Sequence, residues 1–513
     1  MQKKILLLHC CHIQQGDTLS RTEKRKTSIL NSAVGRIDVI ALGFGTTIGW
    51  IWVMMSGSWI QDGGFMGAIC AFVICAVIFS MLGSLYGELG SALPFTGSEF
   101  VFIYRAMGIR VAGILGWLMT LAYVGIAASE AIALSTAFSY ILPTEDVGYL
   151  WTIAGSKVSV GWILPGIIGA VLLSVLNYIG IRQTIVLQVM ATICMVFIGF
   201  IIFFSGIAFG DLSNTGPAFT DGKGLAGCMM AAPMLLIGFN AISQSSEELN
   251  IPQRSVAKAM IQSILLACLW YVAVILSCAV LAPAAVRNAS PLPLADAFAY
   301  ALNGAGLQKV VILGGILGIM TTWNGFFLAG TRVMFSMGRA RLLPPFFSRR
   351  HPHFGTPKTI VIATSCICIF CLFLGSNALN WLMTLTSFCI MVTYLFVAIS
   401  FILLRKREPG LYRPFAVRYG KVISSVVILF ICIYLCLYFF LWQDGRVALP
   451  GWLFLAGWMV AGLILIYIGK RIYGSVSSME REYLVFGDEM ARTRQQLEKA
   501  EHKNYSGGAR DEE

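Results

Sequence analysis

The chain has 513 residues, of which 57% are apolar and 12% charged, and it carries a formal net charge of +12. Soluble domains carry roughly 25% charged residues, and one hydrophobic core rarely serves more than roughly 300 residues, so a soluble fold could not bury this much apolar surface. The composition excludes a disordered chain, a small disulfide-stabilised secreted domain and an ordinary soluble enzyme, and it indicates an integral membrane protein.

Twelve apolar runs of about 20 residues, the length that crosses a hydrocarbon core, recur along the chain. An arm over residues 1–36 precedes them, and a polar tail over residues 471–513 follows them and is expected to begin with a short solvated helix. The sequence therefore predicts twelve membrane-spanning helices, spans one to twelve, near residues 38–59, 65–86, 109–142, 159–180, 184–209, 225–247, 258–282, 310–336, 359–375, 380–404, 422–442 and 450–469.

Most basic residues lie on one side of the predicted membrane. If the amino terminus is cytoplasmic, the exterior loops hold only 5 of the 37 Lys and Arg residues: Lys157, Lys223, Arg287, Lys309 and Arg446. This asymmetry obeys the positive-inside rule for an even number of spans, so we expect a plasma-membrane protein with both termini in the cytoplasm. Because the basic residues fall in separate short loops, we expect no nucleic-acid partner.

Cysteine and histidine placement argues against a cofactor. The 14 cysteines lie almost wholly within apolar runs, where a thiol usually acts as a small apolar side chain. The five histidines lie outside the predicted spans, so no span offers an imidazole to a metal or haem. We expect no cofactor and no metal. The missing intramembrane histidines and acid pairs also disfavour a membrane-embedded enzyme, and the lack of a sizeable soluble domain disfavours a nutrient receptor.

Span one contains Gly43, Gly45 and Gly49 near its middle depth. Each interior Gly costs about 1 kcal/mol relative to Ala, and the neighbouring Thr46 and Thr47 add no helical preference. The sequence therefore predicts an interruption, which a membrane tolerates only where the backbone is buried in protein or lines a wet cavity. Close helix packing by small residues is the alternative explanation.

Span six has a corresponding interruption at Pro233 and Gly238. Spans one and six cross the membrane in opposite directions, which is the relation expected of inverted five-span repeats. The two breaks would meet near mid-membrane, where helix amino-terminal dipoles can receive an anion and freed carbonyls an ammonium group. Such a site suits a zwitterion. The predicted units are repeat one over 37–209, repeat two over 225–404, and spans eleven and twelve over 421–470.

Four stretches of the chain carry a family resemblance: YGELGSALPFTGSEFVFIYRAMG (86–108), GFNAISQSSEELNIPQRSVAKAM (238–260), GTRVMFSMGRARLLPPFFSRRHPHFGTP (330–357) and RKREPGLYRPF (405–415). In this order they resemble the amino acid/polyamine/organocation (APC) superfamily of secondary transporters, over most of the chain. The resemblance implies an all-α membrane protein with twelve transmembrane helices, a LeuT-like core of two inverted five-helix repeats, and two peripheral helices. It also implies alternating access, usually for amino acids or related amines.

By this resemblance, the backbone from Gly45 to Gly49 would hold a substrate carboxylate, and the carbonyls of Ile237 and Gly238 would hold its ammonium. The sequence departs from the family at Trp50, which replaces a usual small residue, and it lacks the aromatic often found before the span-six glycine. Met195 stands where many proton-linked relatives have a lysine. The expected substrate site comprises Gly45, Thr46, Thr47, Gly49, Trp50, Ile237, Gly238, Asn240 and Glu130.

Glu130 lies well inside span three. A charged side chain at a helix centre costs about 2.5–3.5 kcal/mol on insertion scales, so Glu130 should face the protein interior. There it could bind the substrate amine, carry a coupled proton, or pair with a buried hydroxyl as plain structure.

Five residues have two interpretations each. Trp50 and Trp52 point to different faces of a helix, so only one can cover a substrate, and we assign Trp50. Glu247 and Glu248, at the cytoplasmic end of span six, form either a salt-bridge gate with nearby arginines or a solvated helix end. Asn324 in span eight is expected to make a packing hydrogen bond rather than a ligand contact.

The sequence predicts a secondary active transporter that moves an amino acid across the plasma membrane by alternating access, either proton-coupled or exchanging. A polyamine or organic amine permease is the alternative. The expected partners are a small-molecule substrate, the lipid bilayer and protons.

Overall fold

A computed structural model describes residues 35–143, 147–249, 251–304, 306–440 and 449–487. Most of the predicted amino-terminal arm and the distal part of the predicted tail lie outside these residues. The helices are α1 (Arg36–Thr47), α2 (Ile51–Gly63), α3 (Phe65–Ala92), α4 (Ser98–Met107), α5 (Ile109–Ser139), α6 (Val160–Ile179), α7 (Ile181–Phe209), α8 (Gly222–Leu235), α9 (Asn240–Gln244), α10 (Gln253–Leu281), α11 (Ala284–Ala289), α12 (Pro293–Ala301), α13 (Gln308–Arg339), α14 (Lys358–Leu372), α15 (Ala378–Arg407), α16 (Gly420–Phe440) and α17 (Leu449–Tyr473). Three short 3₁₀ helices, Leu212–Thr215, Ser246–Glu248 and Pro345–Phe347, lie between them.

The helices reproduce the predicted spans. Within the described residues, ten helical segments are long and apolar enough to cross a membrane, with α8 and α9 together counted as one of them. The bent pair α1 and α2 counts as an eleventh, and the apolar helix α14, which is only 15 residues long, lies at the position predicted for span nine. Span one is therefore α1 with α2, span six is α8 with α9, and spans two, three, seven, eight and ten are α3, α5, α10, α13 and α15.

Helix pairs that are five spans apart pack together. Span two packs extensively on span seven (α3 on α10), span three on span eight (α5 on α13), and span four on span nine (α6 on α14). An inverted repeat relates such partners, so this pairing supports the predicted two-repeat core. Spans eleven and twelve lie at its edge, because only 28% and 11% of their most apolar windows are buried.

The segment between α5 and α6 contains a β-hairpin that the all-helical prediction lacked. Strand β1 (Tyr149–Ile153) pairs antiparallel with β2 (Ser156–Ser159). Ala154 and Gly155 connect them with φ angles of +46° and +82°, as a type I′ turn requires. The Trp151 indole stacks on Phe373 at 5.8 Å, so the hairpin covers the connection between α14 and α15.

The sequence predicted a solvated helix at the start of the tail, but in the structure this helix packs against the rest of the protein. Residues 478–487 are helical, and Phe486, only 3% exposed, packs on Phe95 and Tyr104 with ring centroids 5.7 and 5.3 Å apart. The Arg105 guanidinium lies over the same ring at 5.4 Å. The apolar pair Val485 and Phe486 explains the docking. We call the membrane side that carries this helix and the start of α1 the terminal side, and the other the opposite side.

Candidate functional site

Span one is broken, as predicted, near its middle. Helix α1 ends at Thr47 and α2 begins at Ile51, and the two axes differ by 57°. The Thr46 and Thr47 hydroxyls donate to the carbonyls of Leu42 and Gly43 at 2.6 and 2.7 Å. These bonds run back to carbonyls four residues earlier in the last turns of α1, and the carbonyls that the break leaves without helical donors lie beyond Phe44, whose own carbonyl accepts from the Ile48 N–H at 3.1 Å.

The predicted break in span six is also confirmed, and it touches the break in span one. Helix α8 ends two residues beyond Pro233, and Gly238 adopts a φ of +125° before α9 begins. A Cβ built on Gly238 would lie 2.7 Å from the Thr47 nitrogen and 2.8 Å from the Thr46 carbonyl carbon. Only glycine allows this close approach, because any side chain would collide with the backbone of α1.

Glycines on span eight make room for the break in span one. A Cβ on Gly315 would lie 2.8 Å from the Trp50 ring, and a Cβ on Gly318 would collide with the Gly49 carbonyl oxygen. The hydroxyl of Thr322 donates to the Gly45 carbonyl at 3.3 Å. Sequence analysis did not assign this role to span eight, although glycines spaced three and four apart are a known signal for close helix approach.

A small cavity, the central cavity, lies where the two breaks meet. Its volume is about 30 Å³, and Glu130 is the only charged residue among the described residues that line it. The Glu130 side chain lies beside the break, since a Cβ on Gly49 would be 3.2 Å from Oε1. Its Oε2 is buried and accepts no hydrogen bond from any described residue. The lining residues are Thr46, Thr47, Gly49, Ile51, Ile126, Glu130, Met234, Leu235, Ile237, Tyr271, Thr322, Phe326 and Met383.

A larger cavity of about 240 Å³, the opposite-side cavity, adjoins the central cavity. The two share a boundary formed by Ile51, Glu130, Met234, Leu235 and Met383. Serine hydroxyls orient both methionines: Ser387 donates to the Met234 sulfur at 2.9 Å, and Ser129 donates to the Met383 sulfur at 3.3 Å. The boundary is therefore mostly apolar, with one carboxylate.

The structure distributes the predicted site residues over distinct places. Five of them line the central cavity, namely Thr46, Thr47, Gly49, Ile237 and Glu130. Trp50 lines the opposite-side cavity, whereas the Trp52 ring packs against Trp270 at 5.3 Å. Gly45, Gly238 and Asn240 line neither cavity: the first two serve backbone packing, and Asn240 hydrogen-bonds elsewhere.

Asn324 occupies the packing role predicted for it. Its amide donates to the Gln188 side-chain oxygen at 2.8 Å and to the Thr184 carbonyl at 3.3 Å, and its oxygen accepts from Asn177 at 3.2 Å. These bonds join span eight to spans four and five, away from the residues that line the central cavity.

Both acidic residues at the end of span six form ion pairs on the terminal side. Glu248 accepts two hydrogen bonds from Arg332 at 2.7 and 2.9 Å, and Glu247 accepts two from Arg339 at 2.8 and 3.1 Å. Burial by itself would raise the pKa of Glu247, but the Arg339 guanidinium lowers it below its usual value. Both acids line a polar cavity of about 270 Å³, the terminal-side cavity. Both carboxylates at this end of span six are therefore ion-paired.

A buried polar cluster lies between the central and terminal-side cavities, and sequence analysis did not single it out. Glu99, at the start of α4, is 0% exposed. Its Oε1 accepts hydrogen bonds from Tyr86 at 3.0 Å, Tyr123 at 2.8 Å and Asn240 at 3.1 Å, and its Oε2 accepts one from Gln244. The only signal in the sequence is an acidic residue within the otherwise apolar segment SEFVFIY.

Comparison with known proteins identifies the family. The amino acid permease family matches residues 34–479. The chain is 25% identical to the methylthioribose transporter of Bacillus subtilis over 466 residues, which is 89% of this chain and 96% of that protein. It is 25% identical to the branched-chain amino acid permease BcaP of Bacillus subtilis over 473 residues, or 90% and 97% of the two chains. It is 27% identical to the chloroplastic cationic amino acid transporter 9 of Arabidopsis thaliana over 350 residues, or 65% and 60%.

These matches confirm the predicted APC resemblance and the LeuT-like helical transporter fold that it implies. The chain belongs to the amino acid permease family and is a multi-pass membrane transporter for amino acids.

Proposed function

We propose that this permease carries an amino acid with an apolar side chain across the plasma membrane by alternating access, coupled to protons or by exchange. The observation that supports this most directly is the central cavity, where two broken helices meet beside one carboxylate and an apolar wall. The proposal requires substrate binding, movement and release, and it includes no catalysed reaction.

The ends of the broken helices provide complementary partners for a zwitterion. The first N–H groups of α2 have no helical acceptors, and the helix dipole makes this end favourable for a carboxylate. Thr47 and Gly49 line the cavity just before that end. The last carbonyls of α8 lack helical donors and can receive an ammonium group, with Ile237 in the cavity wall.

Two of the three roles predicted for Glu130, substrate binding and proton coupling, are compatible with this proposal. No described hydroxyl pairs with its buried Oε2, which disfavours a purely structural pairing. A carboxylate at this position can bind the substrate ammonium directly, or it can take up a proton when the cavity excludes water.

The apolar wall supports selection for an apolar side chain. Ile126, Met234, Phe326 and Met383 line the cavity, and the described lining residues offer no second charge to a substrate side chain. Methionine side chains adapt to ligands of different shape, so they suit a family of related apolar substrates. One relative is named as a branched-chain amino acid permease, which agrees with this selectivity.

The structure corresponds to a nearly closed state in the proposed cycle. A central cavity of about 30 Å³ holds only one or two water molecules, so an amino acid enters when Met234 and Met383 move apart. On the terminal side, we propose that the Glu247 and Glu248 ion pairs form the gate that opens to release substrate. The basic loops support a cytoplasmic location for this side by the positive-inside rule.

Uptake into proteoliposomes tests the proposal. Radiolabelled leucine, methionine, lysine and the leucine amine without its carboxylate would be offered with and without an imposed proton gradient. We expect leucine and methionine to accumulate and the decarboxylated amine to compete poorly. Strong transport of the amine would favour the alternative, an organic amine permease, and no transport of any compound would overturn the proposal.

Glu130→Gln, with the exposed loop variant Asp211→Asn as a control, separates the two roles of Glu130. If Glu130 carries the proton, the Gln variant exchanges substrate but no longer accumulates it in response to the gradient. If Glu130 binds the ammonium, the variant loses affinity at every pH. Asp211→Asn should match the wild type in both assays, because its side chain lies in an exposed loop.

A further inference from the structure

The Glu99 cluster contains a buried carboxyl group without a countercharge. Glu99 forms no ion pair with any described residue, since the arginine on its own helix, Arg105, pairs with Glu408 at 2.8 Å. The arginines on span eight are used by the gate, where Arg332 and Arg339 pair with acidic residues that follow span six. A buried carboxylate that lacks a cation depends entirely on hydrogen bonds for its stability.

The titratable groups that face Glu99 are tyrosines. Tyr86 comes from α3 and Tyr123 from α5, and Tyr394 on α15 packs against the Tyr86 ring at 5.6 Å. A phenol is neutral at physiological pH, so Tyr86 and Tyr123 donate hydrogen bonds to Glu99, but none of the three phenols balances a negative charge. Burial raises the pKa of the Glu99 carboxyl to about 7. Both its protonated and its ionised forms are therefore accessible under physiological conditions.

The amides of Asn240 and Gln244 can serve either form of the carboxyl group. Both now donate N–H groups to Glu99, while their own buried oxygens, Asn240 Oδ1 and Gln244 Oε1, have no hydrogen-bond partner among the described residues. A protonated Glu99 needs an acceptor for its O–H, and rotation of one amide would supply such an oxygen. The cluster thus has two hydrogen-bond arrangements that differ by one proton.

The cluster joins the moving part of span six to the rest of the core. Asn240 and Gln244 begin and end α9, the short helix that follows the break at Gly238. Their carboxylate partner lies on α4, and Ser98 on α4 also hydrogen-bonds to Ser243 on α9 at 2.8 Å. Hydrogen bonds to an ionised group are roughly twice as strong as those between neutral groups. The ionised form of Glu99 therefore holds α9 more firmly than the protonated form.

We propose that Glu99 is a proton-binding site that controls opening toward the terminal side. When its carboxylate binds a proton, the O–H is donated to the oxygen of one rotated amide, that amide no longer donates to Glu99, the remaining hydrogen bonds lose their charge assistance, and the hold on α9 weakens. When the proton leaves, the bonds re-form and α9 is held. This inference rests on the proposed function, because it assumes that α9 moves as the central cavity opens.

The test is radiolabelled leucine exchange in proteoliposomes with the same pH on both sides, so that no gradient drives transport. We expect exchange to slow by about tenfold from one pH unit below to one unit above about 7, as the protonated fraction of Glu99 falls. Glu99→Gln, which is neutral at every pH, should remove this dependence. Asp211→Asn, in an exposed loop, should retain it. A flat wild-type profile, or an unchanged profile in Glu99→Gln, would overturn the inference.

Tyr123→Phe keeps the test informative if Glu99→Gln does not fold. Loss of one donor to the ionised form raises the carboxyl pKa, so the midpoint of the exchange profile should move to higher pH. A role of Tyr123 in packing alone would lower the rate without moving the midpoint, and that result would contradict the inference. Exchange that depends on sodium but not on pH would also contradict it.

A stability measurement separates failure of this inference from failure of the proposed function. The pKa of the Glu99 carboxyl is raised in the folded protein above its ordinary 4.5. The stability that this group contributes to the folded protein is therefore fully present below pH 4.5 and is lost as the pH rises through about 7. The unfolding temperature of the wild type should therefore fall relative to Glu99→Gln over this range, whether or not leucine is the substrate. Parallel curves would overturn the inference even if transport is confirmed.

Discussion

The contact between the two helix breaks predicts a large effect for Gly238→Ala. Gly238 has a φ of +125°, and a Cβ at this position would lie 2.7 and 2.8 Å from backbone atoms of Thr47 and Thr46. Neither atom belongs to a flexible side chain, so α1 or α8 must shift. The substitution therefore acts directly on the geometry of the central cavity.

Two contributions set the magnitude. A non-glycine residue in a sparsely populated region of φ and ψ costs about 1–3 kcal/mol. An extra methyl group in a closely packed interior costs about 1–3 kcal/mol more. The sum is about 2–6 kcal/mol, so we expect a clearly lower unfolding temperature. If half of the cost, about 1–3 kcal/mol, falls on the substrate-bound state, leucine affinity drops by about 5- to 150-fold.

Gly227→Ala is the matched control, because Gly227 lies on α8 in the same span and a Cβ there would meet no atom within 4 Å. At such a helical position alanine stabilises the folded protein by about 0.5–1 kcal/mol relative to glycine, so the stability of this variant should be unchanged or slightly higher. Thermal unfolding in detergent and leucine uptake would be measured for both variants. If Gly238→Ala equals Gly227→Ala in both measurements, the two breaks do not touch and the proposed site is misplaced.

Three further predictions concern the gates and the tail. Glu248→Gln leaves the buried Arg332 without its carboxylate partner, which weakens closure of the terminal side by about 1–3 kcal/mol. The ratio of leucine efflux to leucine uptake should therefore rise, and exchanging the two charged residues should restore it. Met383→Ala should let bulky aromatic amino acids compete about tenfold better against leucine, whereas Met55→Ala, outside the central cavity, should not. Phe486→Ala should lower the unfolding temperature through a loss of about 3–5 kcal/mol and expose residues 478–487 to trypsin, and equal protease resistance would argue against docking.

The sequence predicted the positions of the apolar helices well because the hydrocarbon core imposes a length and a polarity on each helix. All twelve predicted spans have a counterpart in the structure. The hairpin between α5 and α6 was missed, because its signal is a short alternating strand with an Ala154–Gly155 turn in a polar connection. The docked tail was missed because its buried apolar pair, Val485 and Phe486, belongs to a short segment that also carries several charged residues.

The sequence predicted the site best where residues weaken the helix in which they themselves lie. The glycines and threonines of span one, and Pro233 with Gly238 in span six, located both breaks, because they weaken a helix wherever it lies. Sequence also directed attention to Glu130, since a carboxylate within an apolar span is costly. It could not show that Gly45 and Asn240 lie outside the cavity, because that depends on how α1 and α9 are rotated against their neighbours.

The sequence by itself determined that this chain crosses a membrane repeatedly, that spans one and six are interrupted, and that it resembles a family of amino acid transporters. These properties follow from composition, helix propensity and local motifs. Only the tertiary structure decided which polar groups meet: Gly238 against Thr47, Glu248 with Arg332, and Glu99 among residues of α3, α5 and α9. Those contacts join segments far apart along the chain, so they depend on the packing of whole helices, which no local pattern specifies.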